Sequence, residues 1–134
     1  MGFFSKLRDK TRPQSDAPQV EPISDEDFEQ RVLKSARPVL VFLWSSTCPY
    51  CAKMAPNVKN VYSRTRHLLD AFHANVADAP HIAAWAQVRS VPTTVLAING
   101  KIIEIVGGFK PEQYLEELIQ TRLALPQYNA NHPG

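Results

Sequence analysis

Residues 39–51 read Val39-Leu-Val-Phe-Leu-Trp44-Ser-Ser-Thr47-Cys48-Pro49-Tyr50-Cys51, an apolar run that breaks into a polar turn and then into two cysteines three positions apart. A continuous Val/Leu/Phe run bounded by Pro38 and by Ser45-Ser46-Thr47 predicts a strand buried on both faces, inside a helix-covered sheet. A helix is expected to start at the cysteines. Thr47 or Cys48 falls at its cap, Pro49 at the first helical position, where a missing N–H costs nothing, and Ala52, Lys53, Met54 and Ala55 favour continuation. Residues three apart share a helix face, so Cys48 and Cys51 can close a disulfide within one turn. Cys48 then sits at the positive end of the helix dipole, a position suited to a nucleophile. Two cysteines at this spacing also fit half of a zinc site or an inert pair of thiols. A closed zinc site needs four ligands, however, and the chain has no second cysteine pair and no close pairing among His67, His73, His81 and His132.

The 134 residues suit one domain with a full core. Fifteen basic against 13 acidic side chains is too even a balance for a nucleic-acid footprint, so no nucleic-acid partner is expected. No stretch reaches the roughly 18 apolar residues of a membrane span. The opening residues Met1 to Arg12 lack the apolar core and small-residue cleavage site of a secretory leader. The expectation is a cytoplasmic protein, where a lone dithiol is catalytic rather than structural.

Outward from the cysteines, residues 1–20 carry mixed charge, Gln, Ser and Pro and are expected to be a flexible tail, with a short basic amphipathic helix around Phe3, Phe4 and Leu7 as the alternative. The domain is expected over 21–125 and a second tail over 126–134. Ser24 followed by Asp27 fits a capping box, and Phe28, Val32 and Leu33 recur at helical spacing, predicting a helix over 25–35 that stops at Arg37-Pro38. The cysteine helix is expected to run through Pro56, kinked there, to about Leu69. A strand over Phe72–Ala77, a helix from Pro80 through Trp85, and a strand from Val88 to Ile98 with Pro92 at its mouth follow. Asn99-Gly100 signals a type I′ hairpin, Lys101–Val106 the returning strand, and Gly107-Gly108 its break. Pro111 opens a last helix whose buried stripe is Tyr114, Leu115, Leu118, Ile119 and Leu123. The pattern is an α/β fold, a central mixed sheet with helices on both faces.

In this order, the strand ending in Trp44, the C-x-x-C at a helix start, Pro56, Val-Arg-Ser-Val-Pro-Thr, Asn-Gly-Lys, the glycine pair and the closing amphipathic helix resemble the thioredoxin family over about residues 21–124. The resemblance implies a thioredoxin-like fold in which Pro92 is cis beside the cysteines. It further implies that Val91, Pro92 and Gly108 shape the substrate groove and that the Val91 backbone pairs with an extended substrate chain. Cys48 would attack a substrate disulfide and Cys51 would resolve the mixed disulfide. No cofactor beyond the Cys48–Cys51 pair is implied. The expected partners are disulfide-containing proteins and a separate reductase as electron donor, and the expected state is a monomer.

The chain departs from the family pattern at three places. Pro49-Tyr50 makes the motif Cys-Pro-Tyr-Cys, which resembles the glutaredoxin site and suggests a potential less reducing than that of an ordinary thioredoxin. Phe42 stands where the family buries an acid and His73 where it has a lysine. His73 is therefore either a replacement base for Cys51 or a partly exposed strand residue. Thr47 replaces the aromatic that usually precedes the first cysteine. Trp44 is expected to pack beside the site, Trp85 to be a helix residue, and Ser45 and Ser46 to be turn residues. The reading is a protein-disulfide oxidoreductase serving cell redox homeostasis. Its alternatives are a glutathione-linked reductase, a binding module or co-chaperone using the same groove, and an iron–sulfur cluster bridged between two chains.

Overall fold

A computed structural model describes residues 19–124, so residues 1–18 and 125–134, which hold most of both expected tails and the amphipathic-helix alternative, lie outside the described residues. The elements in chain order are β1 (Glu21–Pro22), a single π-helical turn α1 (Glu29–Leu33), β2 (Val39–Trp44), α2 (Pro49–Thr65), β3 (Asp70–Asn75), α3 (Pro80–Trp85), β4 (Thr93–Ile98), β5 (Lys101–Gly107) and α4 (Glu112–Leu123). The five strands form one sheet in the order β1-β3-β2-β4-β5. β1 and β2 run parallel to β3, whereas β4 runs antiparallel to β2 and β5.

The apolar run of β2 occupies the centre of the sheet because both of its faces are covered. Leu40 and Phe42 pack with Cys51, Met54, Val58 and Val61 of α2 and Leu115 and Ile119 of α4. Val39, Val41 and Leu43 pack on the opposite face with Phe28 and Val32 near α1 and Ile82 of α3. Alternation along a strand therefore sends every second residue of β2 to the α2 side, Trp44 included.

Several elements differ from the sequence expectation, each for a local reason. α2 ends at Thr65 rather than near Leu69, because the Leu68 and Leu69 amides both donate to the Thr65 carbonyl, at 2.8 and 3.2 Å. The Arg66 carbonyl is taken by Arg37, whose Nε also reaches Asp70 at 3.2 Å and whose neighbour Pro38 accepts from the Asp70 amide, so β3 starts at Asp70 instead of Phe72. α2 continues through Pro56, which is exposed together with Ala52, so the carbonyl left without a donor lies at the water-facing side. β4 begins only at Thr93, after a cis Val91–Pro92 bond, as Pro92 has no N–H to give to the sheet.

In place of a helix over 25–35 the chain makes turns and the short α1. Only half of the capping box forms. Asp27 accepts from the Ser24 amide at 2.8 Å, but the Ser24 hydroxyl donates to the same carboxylate at 3.0 Å rather than capping an N–H. The hairpin has positive φ at both Asn99 (55°) and Gly100 (79°), as a type I′ turn requires. A Cβ on Gly100 would stand 2.7 Å from the Leu33 carbonyl oxygen, so this glycine also lets α1 close on the hairpin. β1 is absent from the sequence reading: two residues are too few to show a period. Val20, read from the sequence as tail, is buried in the α2-side core.

Candidate active site

Sheet topology places Cys48 just beyond the end of the central strand, where the parallel strands finish. Cys48 is the N-cap of α2 in an extended conformation (φ −102°, ψ 107°), with Pro49 at the first helical position. Its Sγ accepts from the Cys51 amide at 3.1 Å, so sulfur fills the role that a Ser, Thr, Asn or Asp oxygen usually takes at a helix start. The thiol also lies 3.6 Å from the Val91 carbonyl oxygen, which can accept its proton. Both cysteines are free thiols in this structure.

The two sulfurs have unlike surroundings. Cys48 is half-buried, while Cys51 is 0% exposed within the core that holds Phe42, Met54 and Ala55. Burial first, and then the hydrogen bond with Cys48, push the Cys51 thiol up to about 12 from an ordinary 9.0. A partner can therefore reach one sulfur, and the second is held protonated behind it.

The groove side is built by two tertiary contacts. The Gly108 amide donates to the Pro92 carbonyl at 2.8 Å, joining the end of β5 to the segment before β4. Gly108 has φ +87° and open space where a side chain would stand. Beyond it, the Lys110 amide donates to Met54 Sδ at 3.3 Å and the Lys110 carbonyl accepts from Asn57 Nδ2 at 2.8 Å, fastening the β5–α4 loop to α2. Val91, Pro92, Gly108 and Cys48 are thus brought together, with Pro49 and Tyr50 exposed at the rim.

On the other side of Cys48 stand Trp44 and His73. His73 pairs in register with Phe42, which puts it on the α2 side of the sheet, and it is buried rather than partly exposed. Its Nδ1 accepts from Trp44 Nε1 at 3.1 Å, with ring centroids 6.0 Å apart. The tie between His73 and Trp44 could not be read from sequence, because it crosses from β3 to β2. Trp85 packs edge-on against Phe28 with centroids 5.0 Å apart, on the far face of the sheet. Among the described residues no group of His, Cys, Asp and Glu is arranged to hold a metal ion, and no helix is long and apolar enough to cross a membrane.

Comparison with known proteins agrees with this geometry. The thioredoxin family model matches residues 19–121. A thioredoxin of Griffithsia pacifica is 30% identical over 104 residues, 78% of this chain and 95% of that protein. A thioredoxin of Streptomyces clavuligerus is 33% identical over 95 residues, 69% of this chain and 86% of the relative. An M-type chloroplastic thioredoxin of Chlamydomonas reinhardtii is 29% identical over 101 residues, 75% of this chain and 72% of its own length. With the fold, the dithiol and these relatives in agreement, the chain belongs to the thioredoxin family and is a thiol–disulfide oxidoreductase whose redox centre is the Cys48/Cys51 pair itself.

Proposed function

We propose that the protein is a cytoplasmic, monomeric reductase of protein disulfides in which Cys48 attacks and Cys51 resolves. The observation that carries this reading is the asymmetry of the pair: Cys48 is reachable and caps the helix, while Cys51 is fully buried 3.1 Å behind it, measured from its amide to the Cys48 sulfur. The Cys48 thiolate attacks one sulfur of a substrate disulfide. A Cys48–substrate bond forms, the substrate S–S bond breaks, and the leaving thiolate takes up a proton. Cys51, once deprotonated, attacks Cys48 Sγ, releases the second substrate thiol and leaves the Cys48–Cys51 disulfide, so two electrons pass to the substrate. A separate reductase restores the dithiol.

Val91, Pro92 and Gly108 form the groove that holds the substrate chain against Cys48, with the Val91 main chain as the hydrogen-bonding edge and the bare Gly108 leaving room beside it. His73 acts as a positioning residue for Trp44. Its Nδ1 is engaged by the indole, which favours this role over that of a base for Cys51. The cytoplasmic assignment is carried over from the sequence expectation, in which a lone dithiol in a reducing compartment is catalytic rather than structural. Cell fractionation with a tagged chain tests it against an organelle, as the Chlamydomonas relative is chloroplastic by name.

The Cys-Pro-Tyr-Cys motif favours one second reading, a glutathione-linked reductase, and a less reducing potential under either reading. Equilibration of the Cys48–Cys51 couple against glutathione buffers, read by thiol trapping, decides between them. A potential between about −270 and −230 mV with slow glutathione turnover is expected, whereas about −200 mV with fast turnover would transfer the function to the glutathione-linked class. Failure to form the intramolecular disulfide at all would remove both.

A further inference from the structure

Some cations of this molecule are paired within the chain and some are not. Away from the cysteines, Arg31, Lys34, Arg37, Arg64 and Arg122 each pair with a carboxylate of the chain. Beside the groove, Lys53 and Lys110 have no ion-pair partner among the described residues and lean instead over tyrosine rings. Lys53 Nζ is 5.5 Å from the Tyr50 centroid and Lys110 Nζ 5.2 Å from that of Tyr114. Lys59, Arg66 and Lys101 also make no ion pair among the described residues, but none of them lies against an exposed ring there.

Both rings are unusually open, Tyr50 at 59% and Tyr114 at 45%, and Phe109, next to Lys110 in the β5–α4 loop, is 42% exposed. The sequence reading buries Tyr114 in the α4 stripe, and the structure turns it outward. Position on the fold makes these side chains one surface. Tyr50, Met54 and Asn57 share a face of α2, and Lys110 is fastened to Met54 and Asn57 of that face through its main chain. Gly108, two residues earlier, is bonded to Pro92 at the groove. Arg89, exposed in the segment before Val91, adds a third cation without an ion pair among the described residues. A carboxylate at this end of the sheet, Asp78, follows β3, on the opposite side of the central strand from β4 and β5.

From this arrangement we propose that the aromatic and lysine surface of Tyr50, Lys53, Phe109, Lys110 and Tyr114 receives an acidic, extended segment of the partner protein, continuous with the stretch that carries its disulfide. The inference rests on the reading of the groove as a protein-disulfide site and names the substrate class of that site. Exposed rings supply apolar contact at low entropy cost, and cations without an internal partner are left to pair with incoming carboxylates.

The test uses two synthetic peptides, each closed by one intramolecular disulfide, with aspartates flanking the cysteines in one and lysines in the other, alongside oxidised glutathione and a small neutral disulfide. At low salt, kcat/KM for the acidic peptide is expected to exceed that for its basic twin by about tenfold, and the gap is expected to close at about 0.5 M salt. The Lys53→Glu, Lys110→Glu variant is expected to reverse the order of the two peptides. Equal rates for the twins in the unaltered protein, a preference insensitive to salt, or a preference that persists in the variant would overturn the inference. Faster reduction of oxidised glutathione than of the acidic peptide would reassign the surface to glutathione and overturn it as well. Loss of reduction of every disulfide, the neutral one included, would instead strike the disulfide-reductase reading beneath it.

Discussion

The two ends of helix α2 solve the same problem in opposite ways. At the C-terminal end several polar groups are tied within the chain: Arg64 reaches both Glu112 and Glu116 at 2.9 Å, Asn60 reaches Glu112 at 2.8 Å, and Arg37 takes the Arg66 carbonyl. At the N-terminal end a helix donor is satisfied by a sulfur that must later leave this role to form a disulfide. The comparison separates structural from functional polarity. A group whose partner lies within the fold holds the fold together, and a group whose internal partner is reactive, or absent among the described residues, is available to a substrate.

Four experiments break or sharpen that contrast. Cys48→Ser is expected to abolish disulfide reduction completely while leaving thermal stability close to that of the reduced protein, since the serine oxygen can take over the cap. Cys48→Ala should lose the cap too, costing about 1 kcal/mol more in urea unfolding. Equal stability of the two variants would show that the sulfur does not hold the helix end.

The resolving step provides the next largest effect. Because burial raises the Cys51 thiol, its attack on a Cys48 mixed disulfide should accelerate about tenfold per pH unit through neutral and mildly alkaline pH, as followed by release of a chromogenic thiol. In the mixed disulfide the Cys48 thiol no longer shares the proton, but burial remains. A slower resolving step in His73→Ala, with its pH dependence altered, would restore His73 as a base. The same raised value has a consequence for stability. The folded state binds the thiol proton more tightly than the unfolded chain, so this contribution is complete below the ordinary 9.0 and is lost as pH rises towards about 12. The oxidised protein, with no thiol there, should lack that alkaline loss in melts run in parallel.

Gly100→Ala probes the β4–β5 hairpin and its contact with α1. Positive φ and the 2.7 Å approach to the Leu33 carbonyl predict a destabilisation of about 1–2 kcal/mol with reductase activity retained below the melting transition. Arg64→Ala, despite removing two short ion pairs, should have the smallest effect. The pairs are at the surface, so the change in melting temperature is expected to be slight and to vanish at high salt. A large, salt-independent loss would mean that the closed end of α2 is held by more than surface charge.

Much of this architecture is visible in the chain because it is written in local chemistry. The β2 run has no polar residue to face water, Pro49 follows the N-cap Cys48, and Asn99-Gly100 can take positive φ at both positions. Other features are invisible for an equally physical reason: their partners are far away in sequence. The start of α3 is capped not by Asp78 or another neighbour but by Asp25, whose carboxylate accepts from His81 at 2.9 Å and Ile82 at 3.0 Å. Tyr114 fits the apolar spacing of α4 yet lies outside it, leaning towards Lys110.

By itself, then, the sequence determined the central strand, the dithiol at a helix start, the hairpin and the family, since periodicity, turn chemistry and motif order act over a few residues at a time. Only the tertiary structure decided that Cys51 is sealed while Cys48 is not, that His73 engages Trp44, and that Lys53 and Lys110 remain without an ion pair among the described residues. Burial, hydrogen bonding and charge pairing depend on which distant segments arrive beside a residue, and in this fold the arrivals come from β3, the segment before β4 and the β5–α4 loop.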